Sequence, residues 1–298
     1  MQRRKFIQTS ILTAAALSLR TNTFARMLGD PWKVRMLTDR IGIFTEKGGT
    51  IAFFLSDEGN VVVDTEFPEQ AKHLISSLKD RNQNPFRFLI NTHHHGDHTA
   101  GNIEFKGMVQ NVIGHTNCLA NHKRVAEQQK NVDKQLFADT TFDSTWKYKI
   151  GGEKIKMHYF GAAHTDGDAV VHFQNANIAH VGDLVFNRRY AFVDRSAGAN
   201  ISSWIEVLEK CKHTFDNGTQ FIFGHAFDPE KVTGNTHDLS AMQHYLSKLL
   251  RFVDQQIRSG ATKEQILAAK SIPGVNEWKG DGIERGLQAA YEELTLKP

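Results

Sequence analysis

Four histidines and one aspartate fall within six residues of a single stretch, Thr92-His93-His94-His95-Gly96-Asp97-His98-Thr99. Neutral imidazoles beside a carboxylate form a nitrogen-and-oxygen donor set suited to zinc and related divalent metals. A lone histidine is more often structural or solvated than a ligand. Five ligand-type side chains packed this densely point to a metal site rather than to a polar loop.

The elements around the stretch must position it. Phe88-Leu89-Ile90 just before it reads as a buried strand, and Thr99-Ala100-Gly101-Asn102 just after it suits a turn into a helix start. The histidines therefore lie where a strand gives way to a helix, a common place for a site in layered α/β architectures.

The same pattern of apolar runs ending in ligand-type residues recurs along the chain. Val61-Val62-Val63-Asp64 is a β-branched run delivering a carboxylate. Gly161-Ala162-Ala163-His164 is a small-residue turn ahead of the apolar strand Ala169-Val170-Val171, and small neighbours allow close approach to a metal. Ile178-Ala179-His180-Val181-Gly182-Asp183 ends in Asp183, and Gln220-Phe221-Ile222-Phe223-Gly224-His225 reads as a last strand ending in His225.

The spacing His93-x-His95-x-Asp97-His98, with His164, Asp183 and His225 downstream, resembles the metallo-β-lactamase superfamily over roughly residues 40–230. The resemblance implies an α/β (α+β) fold, a four-layer αββα sandwich, here followed by C-terminal helices. It implies that His93, His95 and His164 bind one metal, that Asp97, His98 and His225 bind a second, and that Asp183 bridges both. Asp64 would support the site without binding metal, and His94 would point away into packing. The cofactor implied is two Zn2+, with iron or manganese also compatible with such donors. Two divalent ions about 3.5–4 Å apart need a bridging anion, which a carboxylate and a hydroxide supply. The expected activity is hydrolysis of a small ester, thioester, lactone or β-lactam, with Asp97 also catalytic as a proton relay.

Departures within the superfamily narrow the choice. His95 stands where di-iron oxidoreductase members carry Glu, and Asp183 stands where one subclass of β-lactamases uses Cys. An iron-dependent thiol or persulfide oxygenase on the same fold is the alternative, although such members usually use fewer ligands. A non-catalytic metal-binding protein would be expected to show degenerate ligands. No Walker or Rossmann glycine loop and no Gly-x-Ser-x-Gly nucleophile occurs.

Other segments carry their own expectations. Lys47-Gly48-Gly49 turns a hairpin between Ile41-Gly42-Ile43-Phe44 and Ile51-Ala52-Phe53-Phe54. Residues 68–79 and 116–130 read as helices, and Val112-Ile113-Gly114 between them as a parallel strand. His115 and His122 read as surface or pocket-lining residues, and residues 131–144 as a loop over the site. Gly151-Gly152 turns a second hairpin. Ser203-x-x-Glu206 reads as a capping box, and Thr262-x-x-Gln265 as the opening of a further helix. Leu239, Met242, Leu246, Leu249, Val253 and Ile257 stripe one C-terminal helix; Ile283, Leu287, Tyr291 and Leu294 stripe another. Trp146, Tyr190 and the aromatics near Phe223 are candidate pocket walls or core.

The N-terminus is set apart. Met1-Gln2-Arg3-Arg4-Lys5-Phe6-Ile7, a modestly apolar run to Leu19, and Thr23-Phe24-Ala25 have the layout of a secretory signal over residues 1–25, similar to the twin-arginine type. That implies the export machinery as a partner, a periplasmic destination, no stable membrane insertion after cleavage, and a mature single domain over 26–298 with C-terminal helices at 235–296. The formal charge of +3 comes from this segment: without it 32 basic residues face 33 acidic ones, so nothing argues for nucleic acid, and the partner is a small-molecule substrate. Cys118 and Cys211 are too few for a disulfide scaffold. In an oxidising compartment they could pair, but Cys211 on the apolar side of a predicted helix reads as a buried free thiol.

Overall fold

The computed structural model describes residues 31–296, so the expected signal segment 1–25 lies outside the described residues. The described residues from Val34 onward form one compact unit. The central strands are buried along their length, and successive side chains point to opposite faces and different packing partners.

Among the described residues the first sheet has seven strands in chain order: β1 (Lys33–Met36), β2 (Ile41–Thr45), β3 (Ile51–Phe54), β4 (Asn60–Val63), β5 (Phe86–Ile90), β6 (Val109–His115) and β7 (Thr140–Phe142). β4, β5, β6 and β7 are mutually parallel, so their C-terminal ends share one edge. Helix α1 (Pro68–Arg81) links β4 to β5 and buries Ala71, Leu74, Ile75 and Leu78 at the expected helical spacing. The short α2 (Gly96–Thr99) follows β5, and α3 (Thr116–Gln128) follows β6.

The second sheet uses β8 (Thr145–Ile150), β9 (Glu153–Tyr159), β10 (Ala169–Phe173), β11 (Ile178–His180), β13 (Gln220–Ile222) and β15 (Thr233–Gly234). A separate pair, β12 (Phe186–Asn187) and β14 (His225–Ala226), lies between them in sequence. Parallel pairing of β11 with β13 again brings two C-terminal ends together. Val61, Val63, Phe88 and Ile90 of the first sheet meet Met157, Val171, Ile178 and Ile222 of the second in one core. The alternate residues Val170, Ala179 and Phe221 face a second core shared with α4 (Ile201–Thr214), α5 (Thr236–Arg258) and α7 (Ile283–Thr295). This is the αββα sandwich with C-terminal helices. Its largest anchor, Trp204, is fully buried and donates Nε1–H to the Leu184 carbonyl at 3.0 Å.

Several expectations need correction. Ser203 does not cap α4, because the helix begins earlier. Asn200 is the cap, its side chain accepting from the Ser203 N–H at 2.7 Å, and Glu293 of α7 accepts from the Ile201 and Ser202 N–H groups. Residues 131–144 are not wholly loop, since β7 is drawn into the sheet by β6. His115 and His122 are buried rather than on the surface: His115 stacks on Tyr159, whereas His122 bonds Gln135 and lines a small pocket, matching the pocket-lining expectation. Gln220–Ile222 is not the last strand, since β14 and β15 follow it. Thr262-x-x-Gln265 opens α6 (Lys263–Leu267) as expected, and the two side chains form a capping box there. Leu294 is exposed, while Gly286, Leu287, Ala289 and Ala290 form the buried stripe of α7. Both cysteines are buried and unpaired with each other.

Candidate metal centre

The strand ends bring all seven expected residues to one place. His93, His95, Asp97 and His98 follow β5, His164 lies between β9 and β10, Asp183 follows β11, and His225 opens β14 after β13. Gly182 has φ of +51°, and a Cβ there would come within 2.8 Å of Thr92 Oγ1. Glycine therefore lets the Asp183 turn sit directly on the strand end that carries His93.

Asp183 is the hub. Its Oδ2 lies 3.7 Å from His93 Nε2, 3.4 Å from His164 Nε2 and 3.5 Å from His225 Nε2, and its Oδ1 lies 3.1 Å from His98 Nε2. That last contact lacks hydrogen-bond geometry, which leaves Oδ1 buried without a donor. On one side of the hub, His95 Nδ1 stands 3.0 Å from His93 Nε2 and 2.9 Å from His164 Nε2. On the other, His225 Nε2 stands 3.0 Å from Asp97 Oδ2 and 3.4 Å from His98 Nε2.

The outer nitrogens decide what the inner ones present. His164 Nδ1–H donates to the Phe192 carbonyl at 2.7 Å, and His98 Nδ1–H donates to Asp64 Oδ2 at 2.8 Å. His95 Nε2–H donates to Asp194 Oδ2 at 2.9 Å. Thr92 Oγ1 gives its proton to Asp64 at 2.7 Å and so accepts from His93 Nδ1 at 3.1 Å. With one proton each, the His93, His95, His98 and His164 rings are held in the tautomer that turns a lone pair inward. Lone pairs facing each other near 3 Å repel unless a cation lies among them. A tetrahedral ion with bonds of about 2.0–2.1 Å has donor-to-donor edges of roughly 3.3 Å, and the 2.9–3.7 Å spacings around His93, His95, His164 and Asp183 bracket that value. The donor set of His93, His95, His164 and Asp183 fits a divalent metal, and Asp97, His98 and His225 form a second group of donor atoms within 4.8 Å of one another.

The electrostatics agree. Burial pushes the pKa of His93 well down, and that of His164 to about 4, which keeps both rings neutral. Burial opposes charge on His98 as well, but Asp183, Asp97 and Asp64 raise its pKa well above the usual range. Against their own burial, Asp97 and Asp183 are held well below the usual carboxylate range, Asp97 chiefly by His98 and Asp183 chiefly by His225 and His98. A second proton on His98, at Nε2, takes the place that a cation among these carboxylates would fill. His94 stands outside the Asp183 cluster, with both ring nitrogens buried and without hydrogen-bond partners. Burial lowers its pKa to about 3.

Asp194 was not singled out from sequence. Its signal was available, because Ala191-Phe192-Val193-Asp194 is another apolar run ending in a carboxylate. Two aromatics flanking the cluster were also missed. Phe192 lies 5.4 Å from His95, and Phe186 stacks on His225 at 5.3 Å, ring centre to ring centre. Of the candidate walls, Phe223 is core and Trp146 packs edge-on against Phe88, whereas Tyr190 lines a pocket beside the cluster.

The family model described as the metallo-beta-lactamase superfamily matches residues 45–226. Metallo-beta-lactamase IND-1 of Chryseobacterium indologenes is 26% identical over 229 residues, 74% of this chain and 90% of that protein. Metallo-beta-lactamase type 2 of Elizabethkingia meningoseptica is 20% identical over 225 residues, 72% of this chain and 87% of that protein. Among solved structures, a metallo-beta-lactamase from Pontibacter korlensis shares the fold with a TM-score of 0.60 at 20% identity, over 72% of this chain and 99% of that one.

Proposed function

Since the chain belongs to the metallo-β-lactamase superfamily, we propose that it is a metal-dependent hydrolase holding two divalent cations, zinc foremost, and cleaving a small ester, thioester, lactone or β-lactam. The observation that carries this reading is the inward convergence of donor atoms around Asp183, with the His93, His95, His98 and His164 rings each fixed by a hydrogen bond on the far side.

His93, His95 and His164 would hold one cation, and Asp97, His98 and His225 the other, with Asp183 between them. Cations so held supply Lewis acidity toward a carbonyl oxygen and bring the pKa of water toward neutrality. The chain's own residues supply order. Asp64, Asp194, Thr92 and the Phe192 carbonyl fix the rings, so no reorganisation is needed during reaction. Asp97 is the most open of the carboxylates at the centre, with its side chain 31% exposed. It is placed to orient a water by accepting its hydrogen bond and to pass the proton to the departing oxygen, nitrogen or sulfur. Phe186 and Phe192 cover the His225 and His95 sides and restrict bulk water. Within the described residues no helix is long and apolar enough to cross a membrane. The twin-arginine-like start supports a periplasmic location for a mature chain of residues 26–298.

The test is metal content of the purified protein together with turnover of a chromogenic cephalosporin, a lactone and a thioester. About two zinc ions per chain with chelator-sensitive hydrolysis is expected. A single iron with oxygen uptake on a thiol, and no hydrolysis, would replace this reading with the oxygenase.

A further inference from the structure

We propose that the pocket beside the metal centre selects substrates carrying a negative charge, with Arg285 as the specificity-determining residue; this rests on the hydrolase reading above. The pocket has a volume of about 70 Å³ and is lined in part by Phe186, Tyr190, Phe192, Arg189, Asp281 and Arg285. It adjoins the candidate ligands through two rings. Phe186 contacts His225 and His164, at 5.3 and 5.5 Å between ring centres, and Phe192 contacts His95 and His164, at 5.4 and 5.9 Å.

The charge of the pocket is unbalanced. Two guanidinium groups face one carboxylate, that of Asp281. Nearby arginines of the same fold are paired: Arg188 lies 3.6 Å from Asp238, and Arg195 lies 3.4 Å from Glu293. Among the described residues no carboxylate is within ion-pair distance of Arg189 or Arg285. Arg285 instead rests over the Phe192 ring, its Cζ 5.8 Å from the ring centre. With Phe192 5.4 Å from His95, the guanidinium stands at most about 11 Å from the His95 ring, within reach of one small substrate. A guanidinium stacked on an aromatic keeps its N–H fork free and loses little freedom on gripping a carboxylate. Phe192 and Phe227, 38% and 50% exposed, offer apolar surface for the rest of such a molecule.

Arg285 belongs to a part of the chain beyond the family match at residues 45–226. The segment just before α7 is tied to the site-flanking loop by Lys279 N–H to the Arg188 carbonyl at 3.0 Å and Tyr190 N–H to the Lys279 carbonyl at 3.1 Å. No side chain caps α7 at Gly282, which also lines the pocket. The arrangement sets a guanidinium from outside the family match against an aromatic wall and a metal cluster that lie within it.

Two measurements test this. The first is calorimetric binding of phenylacetate and of neutral phenylacetamide to the metal-free full chain, so that carboxylate-to-metal contacts play no part. Wild type should bind the acid at least about tenfold more tightly, Arg285→Gln should abolish that preference, and Arg285→Lys should restore part of it. Equal binding of acid and amide by wild type, or a preference untouched in Arg285→Gln, overturns the proposal. The second uses the metal-loaded enzyme with a hydrolysable substrate and its neutral methyl-ester counterpart. The ratio of kcat/KM for acid over ester should fall about tenfold in Arg285→Gln, through KM, and should decline with salt in wild type. An equal loss for both substrates assigns Arg285 to packing and overturns the proposal. Absence of turnover for both substrates, with the binding preference intact, would count against the hydrolase reading and leave the anion pocket standing.

Discussion

Asp64 and His98 are joined by a 2.8 Å hydrogen bond between two fully buried side chains, and that bond sets which nitrogen of His98 faces the centre. Asp64 also accepts from the Thr92 N–H at 2.8 Å and from its hydroxyl, so through Thr92 it governs His93 as well. Asp194, by contrast, governs His95.

Substituting these two carboxylates by amides should therefore have different reach. Asp64→Asn presents N–H to groups that now donate, which turns protons of His93 and His98 inward and weakens both halves of the centre about 10–100-fold in metal affinity. Asp194→Asn should weaken only the half containing His95, by a similar factor. Stepwise affinities from chelator competition separate the two cases. A uniform loss in both variants would contradict the tautomer assignment.

A glycine remote in sequence should be stricter than one inside the motif. A Cβ at Gly49 would enter the imidazole of His98, whereas one at Gly96 would meet nothing within 4 Å. The Gly49 turn cannot retreat. Its N–H donates to the Asp97 carbonyl at 3.0 Å, and the buried Glu66 carboxylate accepts from the N–H groups of Glu46, Lys47 and Gly48. Gly49→Ala should cost about 1–3 kcal/mol and weaken metal binding, while Gly96→Ala should stay within about 0.5 kcal/mol of wild type. Urea unfolding of both variants decides the matter.

Those two glycines also mark how far sequence reading reached. The candidate ligand residues were legible because metal binding constrains residue type and spacing locally, and each follows a strand. The sandwich was legible through alternation, as in Val61 and Val63 against Val171. Helix starts were legible only when the cap was local: Thr262 and Gln265 form their box, but α4 takes its N-terminal partners from Asn200 and from Glu293, which lies ninety-two positions beyond Ile201. The supporting carboxylate Asp194, the Gly49 contact and the Arg285 pocket depend on chain crossings that no local pattern encodes.

Acid should destabilise the metal-free protein through a histidine away from the centre. His158 is buried against Phe160 and Phe215, and its Nε2 has no hydrogen-bond partner. Burial, helped by Lys156, lowers its pKa to about 4. The unfolded chain takes up the proton near the ordinary value of about 6.5, so the stabilising contribution is complete above that pH and is lost as pH falls toward 4. Relative to wild type, His158→Phe should lose about 2 kcal/mol less stability between pH 7 and pH 5. Urea midpoints at the two pH values provide the check, and parallel losses would refute it.

The ligand set straddles a seam. His93, His95, Asp97 and His98 hang from the first sheet, His164 and Asp183 from strands of the second, and His225 from the β12–β14 pair that follows the second sheet's β13, and the two large sheets share no strand. Cation occupancy is therefore thermodynamically linked to sheet–sheet docking: whatever favours the docked core tightens the ions, and the ions return that free energy to the core. Trimming a methyl group from Val171 or Ile222, deep between the sheets, would register first as a metal leak, long before the fold itself gave way.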